Sequence, residues 1–392
     1  MTDLVLVLRD GLFLKDGREW ATADAGRAHS LAWPMPSTLL GALVTARGRA
    51  KEGAGQSLGR DEWLALAAAT NLGPTIALRR PFALSWAAAH RVWPVPGDSL
   101  FLADEKGKPA RVLRLDPQPP LLATLGRDDD VALEALWRRR VPDRAKPAKA
   151  PVWWAEEAFI NWLADPPTDR PCEGVWRGLD LPRHVQSHVG INPKTLAARE
   201  EILFAHDVVE TIDDEHHEWA LGCRVTPAEE TVTHVTLGGD RRLTWAERPA
   251  MDLFAFPPAL AAAFDEASPK GLRLTAVTPA AFKGGWLPDG LAAAGDGSYC
   301  GRLPGLAAEF ILRAAFVPRP AQVSAWDMAR ARPKPTTRLV SPGAVYHFVR
   351  KDGEPFSGEA AKSFWLAPLG ERTREGFGYF VPGVWEPTES ST

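Results

Sequence analysis

The sequence predicts an α+β protein of two units in series, from three observations. Apolar runs of strand length recur along all 392 residues, among them 4–8, 272–277 and 344–349. Stretches with helical spacing open at Pro36-Ser37-Thr38 and again near Asp61. The two kinds follow one another as a strand, two helices, several strands and a helix, an order that suits an α+β sandwich. Length adds the division: 392 residues exceed one ordinary core, so units are expected over 1–150 and 170–392.

Residues 4–8 form a continuous apolar run with Asp10-Gly11 behind it, which reads as a buried strand leading into a turn. Pro36-Ser37-Thr38 begins a helix with Ser37 as its N-cap and Leu39, Leu40, Leu43, Val44 and Ala46 as its apolar face. Asp61 caps a second, alanine-rich helix running to Asn71, and Gly73-Pro74 ends it. Strands are expected at 75–86 and 112–115, with Glu105-Lys106-Gly107 at a turn, and a helix at 134–141. Between 138 and 151, Arg138, Arg139, Arg140, Arg144, Lys146 and Lys149 face one acid, Asp143, among three prolines; this predicts an exposed basic linker.

An aromatic-rich helix follows at 153–163 and stops at Pro166-Pro167. The second unit begins near Asp180. Residues 202–212 and 219–225 predict a hairpin whose tip is Asp213-Asp214-Glu215-His216-His217. A strand at 232–237 runs into Gly238-Gly239, a helix is expected at 260–267, and further strands at 272–277, 310–316 and 344–349. A helix ends at 364–366 and the segment 376–385 closes the chain. No sequence repeat links the two units.

Composition excludes several classes. Hydrophobic residues at 45% and charged residues at 24% are the proportions of a globular protein, not of a disordered or fibrous one. Net charge is −3, from 46 basic and 49 acidic residues, so any nucleic-acid contact must come from local patches. Cys172, Cys223 and Cys300 lie far apart without a C-x-x-C pair, which argues for a reduced compartment and against a disulfide framework or a zinc site. The start of the chain lacks the basic region of a signal peptide, and no apolar run approaches the ~20 residues of a membrane helix. These readings predict a cytoplasmic protein without membrane, metal or cofactor.

Two common catalytic signatures are absent: there is no G-x-x-x-x-G-K-[ST] and no H-E-x-x-H. Gly295, Gly297 and Gly301 miss a dinucleotide fingerprint by one residue and read as a loop. His216 and His217 are adjacent and point apart, so a solvated hairpin tip is expected there rather than a metal site. His184 and His188 share a helical spacing, but Val189-Gly190-Ile191-Asn192-Pro193 would break a helix, so an irregular segment with solvated or RNA-facing histidines is expected.

Three features point toward phosphate. Gly238-Gly239-Asp240-Arg241-Arg242 and Arg372-Thr373-Arg374-Glu375-Gly376-Phe377-Gly378 each pair flexible backbone with arginine. Such turns fit two readings, a phosphate cradle or a hairpin turn with solvated charges. The helix start at Ser37-Thr38 offers free N–H groups and a positive dipole end. The 16 tryptophans include candidate base-stacking platforms, although most will be core or interface.

In order and spacing these motifs resemble one family, the third subunit of the Cmr complexes, which are type III-B CRISPR effectors within the RAMP superfamily. Leu14-Lys15-Asp16-Gly17-Arg18-Glu19-Trp20 is similar to its F-R-D-G-R-P-F segment, and the stretch from Pro34 to Leu43 to its S-T-x-x-G-A-L helix start. Val189-Gly190-Ile191, Leu237-Gly238-Gly239-Asp240-Arg241-Arg242 and Gly285-Trp286-Leu287-Pro288 resemble its V-G-I, L-G-G-E-R-R and G-W-L-P elements. Ser324-Ala325-Trp326-Asp327, Arg332-Pro333-Lys334-Pro335 and Pro342-Gly343-Ala344-Val345-Tyr346 follow its C-terminal series, and Gly376-Phe377-Gly378 with Trp385 its glycine-rich ending. Lys15, Glu19, Trp20 and Val44 depart from the pattern.

The resemblance implies two ferredoxin-like (RRM-like) domains packed together. It also implies a non-catalytic subunit that grips the 5′ tag of the crRNA beside the large polymerase-like subunit and the backbone RAMP subunit, meeting target RNA only indirectly. Together with the turns, it implies RNA contacts at Lys15, Arg18, Ser37, Thr38, His188, Lys194, Arg241, Arg242, Lys334, Arg338, Arg374, Gly376 and Gly378. Two other functions fit parts of the sequence. A RAMP-type endoribonuclease would use His188 or Tyr379 as acid or base, and a purely protein-bridging subunit would use the aromatics and proline-rich loops for interfaces alone.

Overall fold

Strand Thr2–Leu8 shows how the chain divides its apolar side chains. Alternation along a strand puts Leu4, Leu6 and Leu8 on one face and Val5 and Val7 on the other. In the computed structural model the leucines join one core with helix α1 (Pro36–Gly53), and the valines join a second core shared with the rest of the molecule. A run buried on both faces is therefore continuous rather than alternating. The structure describes residues 1–15, 27–118, 133–138, 145–228, 232–295, 297–303, 306, 308–324, 326–327 and 332–387.

The protein is a mixed α+β structure, mostly strands, with five helices among the described residues. The first seven-stranded sheet runs in the order His234–Leu237, Arg242–Glu247, Thr2–Leu8, His217–Thr226, Asn71–Pro81, His90–Pro94 and Trp153–Ala155. The second runs Leu291–Ala293, Tyr299–Arg302, Glu309–Phe316, Val345–Arg350, Gly271–Ala276, Tyr379–Trp385 and Ala367–Pro368. Neighbouring strands in both are antiparallel.

Helices α2 (Arg60–Ala69), α3 (Glu156–Ala164), α4 (Pro258–Ala267) and α5 (Gly358–Phe364) complete the set. One hydrophobic core joins Val5, Val7 and Leu78 of the first sheet to Phe159 and Trp162 of α3, Phe264 of α4 and Leu274, Phe348 and Phe380 of the second sheet. Residues up to Glu247 complete the sheet begun by Thr2–Leu8.

Several local expectations are corrected. The N-cap of α1 is Met35, with Pro36 at the first helical position, so Ser37 lies inside the helix. The cap of α2 is Gly59 rather than Asp61, and the helix ends at Ala69. Gly73-Pro74 does not end it but sits within Asn71–Pro81, where the register slips between Cys223 opposite Thr75 and Val225 opposite Leu72. A bulge at that point tolerates proline's missing N–H.

The helix expected at 134–141 is instead strand Ala135–Arg138, paired with Pro109–Gln118; Val141 lies outside the described residues. Trp153–Ala155 is a strand, and the aromatic helix begins only at Glu156. The basic segment is no free linker where it is described, since Pro147 bridges Leu102 and Ala148 N–H donates to the Phe101 carbonyl at 2.9 Å. Arg139, Arg140 and Arg144 lie outside the described residues.

The predicted hairpin of 202–212 with 219–225 does not form a ladder. Strand Ala198–Val209 pairs with Arg183–Ile191, whereas His217–Thr226 pairs with Thr2–Leu8 and Asn71–Pro81. Only Ile212 and Glu218 bridge across the tip. The tip is not simply solvated either: Asp213 is buried, accepting from Arg79 Nε at 2.6 Å and Trp219 Nε1 at 2.9 Å. Burial pushes its carboxyl up, but the hydrogen bonds from Arg79, Trp219 and the His217 backbone hold it below the usual range. His184 and His188 lie on the regular strand Arg183–Ile191, not on an irregular segment. Among the described residues no helix is long and apolar enough to cross a membrane, and no group of three His, Cys, Asp or Glu is placed to hold a metal ion.

Candidate nucleic-acid interface

Helix α1 starts without help from a side chain. Thr38 and Leu39 N–H both donate to the Met35 carbonyl, at 2.9 and 3.2 Å, and the first turn holds no acid. The positive end of the helix dipole is thus not offset by any side chain of its own first turn. It opens on a groove of ≈ 1410 Å³.

The groove is made by distant parts of the chain. Ser37, Thr38 and Arg49 come from α1, Arg60 and Trp63 from α2, Lys15 from the first loop, Lys334 from the C-terminal region and Arg372 and Arg374 from the glycine-rich turn. Six lining residues are basic (Lys15, Arg49, Arg60, Lys334, Arg372, Arg374) and two are acidic (Glu52, Glu375). A near-neutral protein thereby concentrates positive charge in one concave place, where low-dielectric walls focus the field.

The glycine-rich turn is fastened to the groove floor. Arg374 Nε donates to Asn71 Oδ1 at 2.6 Å, and Leu72 N–H donates to the Arg374 carbonyl at 2.9 Å. Arg372 grips Glu375 through two hydrogen bonds, of 3.0 and 2.7 Å, and lies over the Phe377 ring at 4.4 Å. Arg374 and Lys334 are exposed, so their charges face solvent in the groove.

Of the residues anticipated from sequence, Lys15, Ser37, Thr38, Lys334 and Arg374 meet in this groove. Gly376 and Gly378 do not offer backbone to it. Both are buried, and their N–H groups already donate to the carbonyls of Thr373 at 3.2 Å and Pro279 at 2.8 Å. Arg338 is exposed on Thr337–Leu339, directly opposite Gln322, itself a lining residue. Lys194 sits at the tip of the hairpin formed by Arg183–Ile191 and Ala198–Val209.

His188, Arg241 and Arg242 gather elsewhere, where that hairpin meets the Gly238–Arg242 turn, and Arg18 lies outside the described residues. The Gly-Gly of that turn packs on the chain: Gly239 N–H donates to the Phe13 carbonyl at 2.7 Å. Sequence reasoning missed Arg49 and Arg60, and marked Arg372 only as part of the glycine-rich turn. The spacing of Ser37, Gly41, Thr45 and Arg49 does carry a signal for the first, since residues four apart share a helix face.

The family model described as CRISPR-associated protein (Cas_Cmr3) matches residues 5–385. The chain belongs to the Cas_Cmr3 family. This is the family whose motifs the sequence resembles. The Cas_Cmr3 chain is also similar to chains in two solved structures. One is the cryo-EM structure of the Type III-B Cmr-beta bound to cognate target RNA and AMPPnP, state 1, with 12% identity, TM-score 0.45 and coverage of 88% of this chain and 86% of that one. The other is the Type III-B Cmr-beta bound to cognate target RNA, with 12% identity, TM-score 0.43 and coverage of 90% and 87%. No curated protein matches the chain.

Proposed function

We propose that this chain is the non-catalytic crRNA-holding subunit of a type III-B Cmr effector. On this reading the groove between α1, α2 and the 372–375 turn holds the 5′ tag, beside the large polymerase-like subunit and the backbone RAMP subunit. One observation carries it: Lys15, Ser37, Thr38, Lys334 and Arg374, remote in sequence, converge on a single groove with a cationic excess. Among the described residues the lining contains no histidine, cysteine or tyrosine, and Tyr379 is buried in the main core, which supports holding rather than cutting.

Two ferredoxin-like units belong to the same reading. In the first sheet Arg242–Glu247, Thr2–Leu8, His217–Thr226 and Asn71–Pro81 lie side by side, which is fourth, first, third and second in chain order. Tyr379–Trp385, Gly271–Ala276, Val345–Arg350 and Glu309–Phe316 repeat that order in the second. The ferredoxin-like arrangement has this antiparallel order, and it would divide the units after Glu247 rather than at 150–170.

The test is crRNA affinity against salt for the chain assembled with the large subunit. Lys334→Ala and Arg374→Ala are each expected to weaken binding roughly tenfold and to lower the salt slope by about one contact. Unchanged affinity and slope in both variants would remove the RNA from this groove. Sustained cleavage of repeat RNA by the purified chain would overturn the non-catalytic assignment.

A further inference from the structure

Where the hairpin of Arg183–Ile191 and Ala198–Val209 meets the body, four rings form a column. Phe204, His188, His206 and Phe13 stack in that order, with centroids 5.1, 4.7 and 4.3 Å apart and planes within 10°, 14° and 29°. His206 is 2% exposed. Facing it is the Gly238–Arg242 turn, whose Arg242 Nη2 donates at 3.0 Å to Gln186 Oε1; Gln186 is the register partner of His206.

Among the described residues, three buried nitrogens at this junction have no hydrogen-bond partner: His188 Nε2, His206 Nε2 and Arg242 Nε. The carboxylate beside two of these side chains belongs to Asp240. Its Oδ2 stands 3.8 Å from His206 Nε2 and 3.6 Å from Arg242 Nη2, too far to close a hydrogen bond with either, and its side chain is 55% exposed. Orphaned buried polar groups are costly, and here a carboxylate oxygen already stands beside one of them, His206 Nε2, without satisfying it.

We infer that this junction is a binding site for a tetrahedral phosphate group, kept closed by Asp240 as a displaceable latch. The phosphate takes the place of the Asp240 carboxylate, accepts from Arg242 and His206, and has the exposed Arg241 as an outer cation. A guanidinium fork and an imidazole N–H match a phosphate's several acceptor oxygens better than one side-chain carboxylate tethered at this distance. The source is either an RNA backbone phosphate, which rests on the function proposed above, or a free phosphate.

The site predicts its own pH dependence. Burial lowers the His206 pKa from its ordinary 6.5, and His188, Arg242 and His184 lower it further, while Asp240 alone raises it. The empty site therefore keeps His206 neutral, and a bound anion favours its protonated form. Binding takes up a proton and tightens as pH falls toward and below 6.5.

The full chain is titrated with inorganic sulfate, whose charge is constant over this pH range, with inorganic phosphate, and with a short single-stranded RNA. The histidine ring signals are read by NMR and His206 is assigned through His206→Phe, which keeps the ring column. Asp240→Asn is expected to tighten sulfate and phosphate about fivefold. Arg242→Gln is expected to abolish the response of His206, and His206→Phe to remove the pH dependence of sulfate binding. RNA shifting His206 identifies the backbone as the source; phosphate shifting it while RNA does not identifies free phosphate. Lys334→Ala, in the groove, should leave the His206 response to sulfate intact, so the two sites fail or stand separately. Unchanged or weaker sulfate binding in Asp240→Asn, or sulfate binding independent of pH in the wild type, would overturn the latch.

Discussion

Gly376 holds φ at +90°, and a Cβ there would meet Leu72 Cδ2 at 2.9 Å and Pro36 Cβ at 3.0 Å. Neither neighbour is the free end of a flexible chain, since Pro36 opens α1 and Leu72 lies in the core. Gly376→Ala should cost about 1–3 kcal/mol, readable in urea unfolding. Because Leu72 N–H holds the Arg374 carbonyl, the same change should shift Arg374 and, on the function proposed above, weaken crRNA binding in parallel. Full stability with unimpaired binding would contradict this account. Gly238 has a similar constraint, with φ at +77° and a Cβ position 2.6 Å from the Phe13 carbonyl oxygen. Both glycine turns could be marked from sequence, but what each glycine faces is protein rather than phosphate.

Strand Val345–Arg350 places His347 in the centre of the second sheet, 1% exposed. Its ring meets Trp385 edge-on at 5.0 Å, and Nδ1 has no partner. Burial, with Arg273 and Arg114 nearby, holds its pKa well below the ordinary 6.5, so the folded state keeps it neutral while the unfolded chain protonates near 6.5. The sign follows: its contribution to stability is complete above pH 6.5 and is lost as pH falls below that value toward the lowered one. One such group contributes a slope of at most about 1.4 kcal/mol per pH unit. His347→Phe, a buried ring without a titrating nitrogen, should flatten the acid limb of a stability-versus-pH curve. A variant retaining the wild-type slope would show that other groups set it. The strand itself was legible as an apolar run, and the histidine within it reads as polar until its neighbours are known.

A buried ion pair ties the turn after His90–Pro94, together with α3, to the second sheet. Arg273 Nη1 donates to Asp98 Oδ2 at 2.7 Å, Trp162 Nε1 donates to Asp98 Oδ1 at 2.8 Å, and Arg273 Nε donates to the Val384 carbonyl at 3.1 Å. Asp98 is 0% and Arg273 2% exposed. Removing one partner leaves a buried charge, so Arg273→Met should cost about 3–5 kcal/mol in chemical unfolding. The double change Asp98→Leu with Arg273→Met should lose less than that single one, because no charge is stranded. If the double variant is the less stable of the two, the pair contributes net stability beyond mutual neutralisation.

An α+β composition, the strand at Thr2–Leu8, the start of α1 at Pro36 and the helix Pro258–Ala267 could all be read from local pattern, since alternation and helical spacing depend only on near neighbours. Family membership was legible for a related reason: many short motifs in fixed order survive without any one being specific. Partnership was not. Residues 202–212 look as ready to pair with 219–225 as with any strand, yet Arg183–Ile191 takes Ala198–Val209 and leaves His217–Thr226 to complete a sheet begun at Thr2. Long-range register also decided the site. It brought Lys334 and Arg374 beside Ser37, buried Gly376 and Gly378, and carried Arg242 away to His206. The physical reason is that a side chain's chemistry is local, while what it faces is set by which strands share hydrogen bonds, and that choice is made between segments hundreds of residues apart.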